Sequence, residues 1–222
     1  MQVEVQRRLR KKPNVDSIVD EAVSRVQDVF KHFETDIPRG FVIELRSKSS
    51  RVGGYVRSSE KNKIVFNGLD KQDALQRHEV LSHESLHSVR LNRGLYGRLL
   101  NIGEEVIEEG LAYHFSDMSK ILYCAANNIQ YPVEYDAKSE EYKILEQKCL
   151  EPFIGYGRLV LQKDGGSTEE LYGLCGYAKP DSEKIAGIGY IVMSALLGNN
   201  PDLVTPNVYL HPAAYYFELA GA

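Results

Sequence analysis

His83-Glu84-Ser85-Leu86-His87 is the stretch that most narrows what this chain can fold into. No strand-like alternation runs through residues 71–91, and the stretch reads as helix. On a helix, a four-residue spacing stacks His83 and His87 on one face, one turn apart. Two imidazoles so placed converge on a single cation. Glu84 lies about 100° round the helix from His83. From there it can reach a water on that cation without being a ligand itself. Two nitrogens do not complete a site, so the fold has to bring a second element over this face.

The next helix, read over residues 103–118, is rich in carboxylates: Glu104, Glu105, Glu108 and Glu109. A run of acidic residues is usually a solvated helix face. Here Val106, Ile107, Leu111, Ala112, Tyr113 and Phe115 make the same helix largely apolar. At least one glutamate should therefore lie near the core, where it needs a cationic partner. Catalytic zinc commonly takes three protein ligands and leaves a fourth position for water, and two His plus one Glu is such a set. Glu109 is the preferred third ligand, because Gly110 beside it removes side-chain bulk next to the metal, so that this helix and the one carrying the histidines can approach closely. Glu105, one turn earlier, and Glu108 are its rivals. His78 and His114 stand five residues from His83 and Glu109, about 140° round their helices, and face elsewhere. His32 ends the first helix, where it can interact with the last carbonyls.

Around these two helices the chain reads as α+β. Residues 13–33 carry apolar side chains at three- and four-residue steps, the pattern of an amphipathic helix. Residues 41–45, 54–57 and 63–67 read as short strands, with a turn at Gly53-Gly54 and another at Asn67-Gly68. The basic run at residues 7–12 reads as a solvated helix end or arm. Further helices are expected over 139–150 and 182–198, with a loop at 164–167 and a short capped helix after it. The expected organisation is one domain over residues 1–222. A small helix-plus-sheet lobe with the metal helix occupies 1–92, and a mainly helical lobe occupies 93–222.

Composition excludes several classes. Hydrophobic residues at 43% and charged residues at 26% suit a globular domain and exclude a disordered, collagen-like or coiled-coil chain. A net charge of −4 argues against a nucleic-acid partner. Three widely spaced cysteines with no CxxC pair argue against a cysteine zinc site or a disulfide framework. The longest apolar stretch, 185–198, is too short and glycine-rich to span a bilayer. No secretory signal is visible. A cytoplasmic protein with no membrane partner is the expectation; its oligomeric state is left open.

The pairing of His83–His87 with Glu109-Gly110-Leu111-Ala112, after twenty-one intervening residues, resembles the gluzincin group of zinc metallopeptidases. Within that group it most resembles the YjaZ-like predicted zinc-dependent protease domain family. Arg90 shortly after the histidines, Tyr113-His114-Phe115, Gly189-Tyr190 and Asn200-Pro201 fit that pattern, and the resemblance spans residues 67–205. It implies a zincin-like fold, Zn2+ held by His83, His87 and Glu109, and Glu84 as general base. It also implies an oxyanion-stabilising Tyr or His from the C-terminal part. Tyr190 is the leading candidate, with Tyr177 and His211 behind it. Each has a plainer reading: Tyr190 as core, Tyr177 as loop, His211 as surface. By the same analogy the strand at 63–67 is an edge that pairs with an extended peptide substrate. The implied activity is peptide-bond hydrolysis. The alternatives are hydrolysis of another amide and a non-catalytic metal-binding or regulatory module.

Overall fold

The computed structural model describes residues 4–8, 15–47, 53–95, 102–130 and 206–219, and the single positions Gly189, Val192, Met193, Leu196 and Leu197. Within these the architecture is α+β, with four helices and a four-stranded mixed sheet. The expected elements at 139–150, 164–167 and the capped turn after it lie outside the described residues, as do Tyr177 and Tyr190.

Two compact units are distinguished. Residues 1–98 with Phe115–Ala126 make up the first, and residues 99–114 with 127–222 the second. In the first, the strands β1 (Glu4–Arg8), β2 (Val42–Arg46), β3 (Gly53–Val56) and β4 (Lys63–Asn67) stand in the order β1-β2-β4-β3. β1 and β2 are parallel, as are β2 and β4, and β3 closes the sheet antiparallel to β4. The register places Ile43 beside Ile64 and Leu45 beside Phe66. Strand periodicity puts all four on one face, and all are buried. Helix α1 (Val15–His32) buries Ile18, Val19, Ala22, Val26, Val29 and Phe30, and packs on α2 and β2. Phe30 meets Phe41 edge-on at 5.4 Å. Burying each such side chain contributes about 1.5–3 kcal/mol. On the opposite sheet face the buried Glu44 pairs with Arg46 at 2.8 Å and Lys63 at 2.7 Å. The Arg46 bond, helped by Lys63 and opposed by burial, holds its carboxyl down at about 2.

Helix α2 (Ala74–Asn92) starts three residues later than the pattern suggested. Leu69–Lys71 forms a 3-10 turn instead, and Asp73 caps α2. Asp73 accepts from the Gln76 backbone, and the Gln76 side chain accepts from the Asp73 N–H. This reciprocal box supplies two helix-end groups with partners and defines the start. Helix α3 (Ile102–Ala126) extends two turns beyond Met118.

Three other expectations change. The residues read as a basic arm include part of β1, because backbone pairing with β2 uses groups that every residue carries, whatever the side chain's charge. The strand read over 54–57 spans Gly53–Val56, so the glycine pair lies in the strand rather than in a turn before it. The strand at 63–67 is flanked by β2 and β3, so among the described residues the edge strand beside α2 is β3.

In the second unit the first half of α3 buries Val106, Ile107, Leu111 and Ala112. Gly189, Val192, Met193, Leu196 and Leu197 are helical, in keeping with the helix expected over 182–198. Gly110 packs on the backbone of Gly189 and on Met193, and a β-carbon on either glycine would collide with the other helix. The glycine beside Glu109 thus makes room for Gly189. After a 3-10 turn at Pro206–Leu210, helix α4 (Ala213–Leu219) buries Ala213, Tyr216 and Phe217. The Tyr216 hydroxyl donates to the Val208 carbonyl.

Candidate metal centre

α2 is covered on every side from Leu81 to Leu91, although that span includes Ser82, His83, Glu84, Ser85, His87, Ser88 and Arg90. A helix enclosed in this way has to supply its polar side chains with partners inside the protein. Two serines return to the helix itself: Ser82 donates to the His78 carbonyl and Ser85 to the Leu81 carbonyl. Arg90 is wholly buried.

On another face, α1 and the second half of α3 hold α2 through a polar cluster. Arg25 donates to both Ser82 and Ser119, and His78 Nε2 lies 2.9 Å from Ser119 Oγ. His78 also stacks on Tyr123, with ring centroids 4.5 Å apart. Burial, reinforced by the charge of Arg25, pushes His78 down to about 4. Lys120 pairs with Glu79 at 2.9 Å and Arg77 with Glu21 at 2.7 Å. His78 is therefore a neutral structural group directed at α3, as its angle on the helix implied.

His83 and His87 turn the other way. Their Nε2 atoms are 3.1 Å apart, and they are 9% and 8% exposed, with Glu84 at 7%. Among the described residues, His83, His87 and Glu109 form the one group of three metal-binding side chains whose ligand atoms all lie within 4.8 Å of one another. Zinc–nitrogen bonds of about 2.05 Å at a tetrahedral angle set the nitrogens about 3.3 Å apart, so the imidazole pair fits such an ion. A hydrogen bond from one ring to the other also fits 3.1 Å.

The acidic helix separates its glutamates. Glu108 is the deeply buried one, at 2% exposure, while Glu104, Glu105 and Glu109 are half-buried. The need for a glutamate near the core is thus met by Glu108, whereas the carboxylate near the imidazoles belongs to Glu109. Burial first, and then the neighbouring charge of Glu109, raises the pKa of Glu105.

The remaining histidines have other partners. His114 Nδ1 lies 2.8 Å from the Tyr209 hydroxyl, and His211 stacks on Tyr215 at 4.0 Å. His32 packs edge-on against Phe33 and beside Phe115. One contact at the site escaped the sequence reading. The β3 backbone at Gly54 touches the Glu84 side chain. Its only trace in the sequence was a glycine pair, which reads more readily as a turn.

No protein-family model, curated protein or solved structure matches this chain, so the chemistry of the centre is argued from its donor set alone.

Proposed function

We propose that the chain is a zinc-dependent metallopeptidase of gluzincin type, with His83, His87 and Glu109 as the metal ligands and Glu84 as the general base. The observation that carries this reading is the convergence of two imidazole nitrogens at 3.1 Å with a carboxylate within 4.8 Å. A buried glutamate stands next in sequence to the first imidazole. The donor set of two nitrogens and one carboxylate oxygen matches catalytic rather than structural zinc, which prefers four closed protein ligands.

A zinc ion held by His83, His87 and Glu109 would lower the pKa of a water toward about 7 and polarise a carbonyl. His83 and His87 would hold the ion through Nε2, the atoms that face each other. Glu84 takes the proton of the attacking water and delivers it to the leaving amine nitrogen. The burial of His83, Glu84 and His87 keeps bulk water from competing and strengthens each electrostatic contact. The open edge of β3, beside α2, offers backbone groups to an extended peptide. Tyr190 remains the proposed oxyanion donor.

Elemental analysis of the purified chain should find about one zinc per molecule. Glu84→Gln should keep that zinc and lose roughly 10²–10⁴-fold in hydrolysis of dye-quenched casein. A chain with no zinc and no affinity for it, or a fully active Glu84→Gln variant, sinks the proposal.

A further inference from the structure

Gly54 lies on β3, the edge strand next to α2, and its neighbour across the gap is Glu84. A β-carbon at position 54 would stand 2.5 Å from Glu84 Cγ, 3.0 Å from Cδ and 3.1 Å from Oε1. Carbon atoms rest at about 3.5–4.0 Å, so a methyl group cannot share this space with the present Glu84 side chain. The register pairs Gly54 with Phe66, on the sheet face that carries Ile64 and packs towards the helices. Its backbone is not in the left-handed region, whereas Gly53 is at φ +147°. Gly53 is a glycine for its conformation, while Gly54 is one for the space it leaves. Glycine inside a strand marks such close approaches.

We infer that Gly54 is a positioning residue for Glu84: the bare strand backbone confines the carboxylate to one orientation, and any larger side chain displaces it. This rests on the general-base reading given above. The three atoms nearest to such a β-carbon are all side-chain atoms of Glu84, beginning at Cγ. A side chain can rotate away where a packed backbone cannot. Alanine at 54 therefore moves the carboxylate and leaves the fold standing. A displacement of about 1 Å at a reacting group is enough to cost about 100-fold in rate.

The test compares Gly54→Ala, Glu84→Ala, the double variant and Glu84→Gln. Gly54→Ala is expected to lower kcat on dye-quenched casein about 100-fold while KM and zinc affinity, measured against a chromophoric chelator, stay within about twofold. In the metal-free protein, Gly54→Ala lowers Tm when Glu84 is present and leaves it unchanged when residue 84 is alanine. An unchanged kcat in Gly54→Ala alongside an inactive Glu84→Gln overturns the positioning role and spares the general base. Equal Tm losses in both backgrounds overturn the contact itself. A fully active Glu84→Gln overturns the parent reading, while the Tm comparison still reports separately on the Gly54–Glu84 contact.

Discussion

α1 and α2 lie side by side in the same unit and are buried by opposite logic. α1 hides one stripe, made of Ile18, Val19, Ala22, Val26, Val29 and Phe30, and keeps residues such as Asp16 and Asp20 in water. α2 is enclosed over three turns, and what it encloses is largely polar: three serines, two histidines, a glutamate and an arginine. A stripe of hydrocarbon stabilises the fold in proportion to the area it hides. A buried polar group contributes only about 0.5–1.5 kcal/mol when hydrogen-bonded and costs about 1–3 kcal/mol when left unpaired. α1 is thus a helix kept for stability. α2 carries groups whose burial is tolerated only with partners inside the protein.

Substitutions can break this contrast. The largest expected effect belongs to α1: Phe30→Ala should lower the unfolding free energy by about 3–5 kcal/mol in denaturant titrations, with zinc affinity of the folded protein unchanged. A comparable loss of zinc affinity would show that the two helices do not divide the work. Next comes the enclosed helix. His87→Ala and Glu109→Ala should each lose more than about 100-fold in zinc affinity, since removing even an outer partner of a ligand costs about 10–100-fold. Glu105→Ala should retain zinc, and metal-free stability should fall far less than in Phe30→Ala. The reverse result for the two glutamates reassigns the third ligand.

The smallest effect is a slope. His78 has its pKa lowered to about 4 in the folded chain against an ordinary 6.5, so between those values the unfolded chain binds more protons. Its contribution is present above about 6.5 and is lost as pH falls to about 4. Glu44, held at about 2 against 4.5, adds a second loss of the same sign at lower pH. His78→Gln should flatten the stability profile in the upper window only, as read by urea midpoints at stepped pH. An unaltered slope there would mean that His78 is solvated rather than locked against Ser119.

Much of the first unit was legible before any coordinates. The apolar steps of α1 and the runs at Phe41–Leu45 and Lys63–Asn67 are local patterns, and local periodicity is set by helix and strand geometry. The missed elements depend on distant partners. β1 exists because β2 offers it a parallel edge, and the need for a glycine at 54 comes from Glu84 on α2. Gly110 was legible as a close-approach residue, but its partner Gly189 lies 79 positions further on.

The sequence alone determined that two imidazoles share a helical face with a glutamate next to the first, because 3.6 residues per turn leaves a four-residue spacing no other arrangement. It also restricted the third donor to a few carboxylates of one helix. Which glutamate of the acidic helix is buried deepest and which strand backbone bears on Glu84 were decided only by tertiary structure. Those outcomes depend on the rotation and offset of whole elements docked across long stretches of chain, and no window of local sequence contains them.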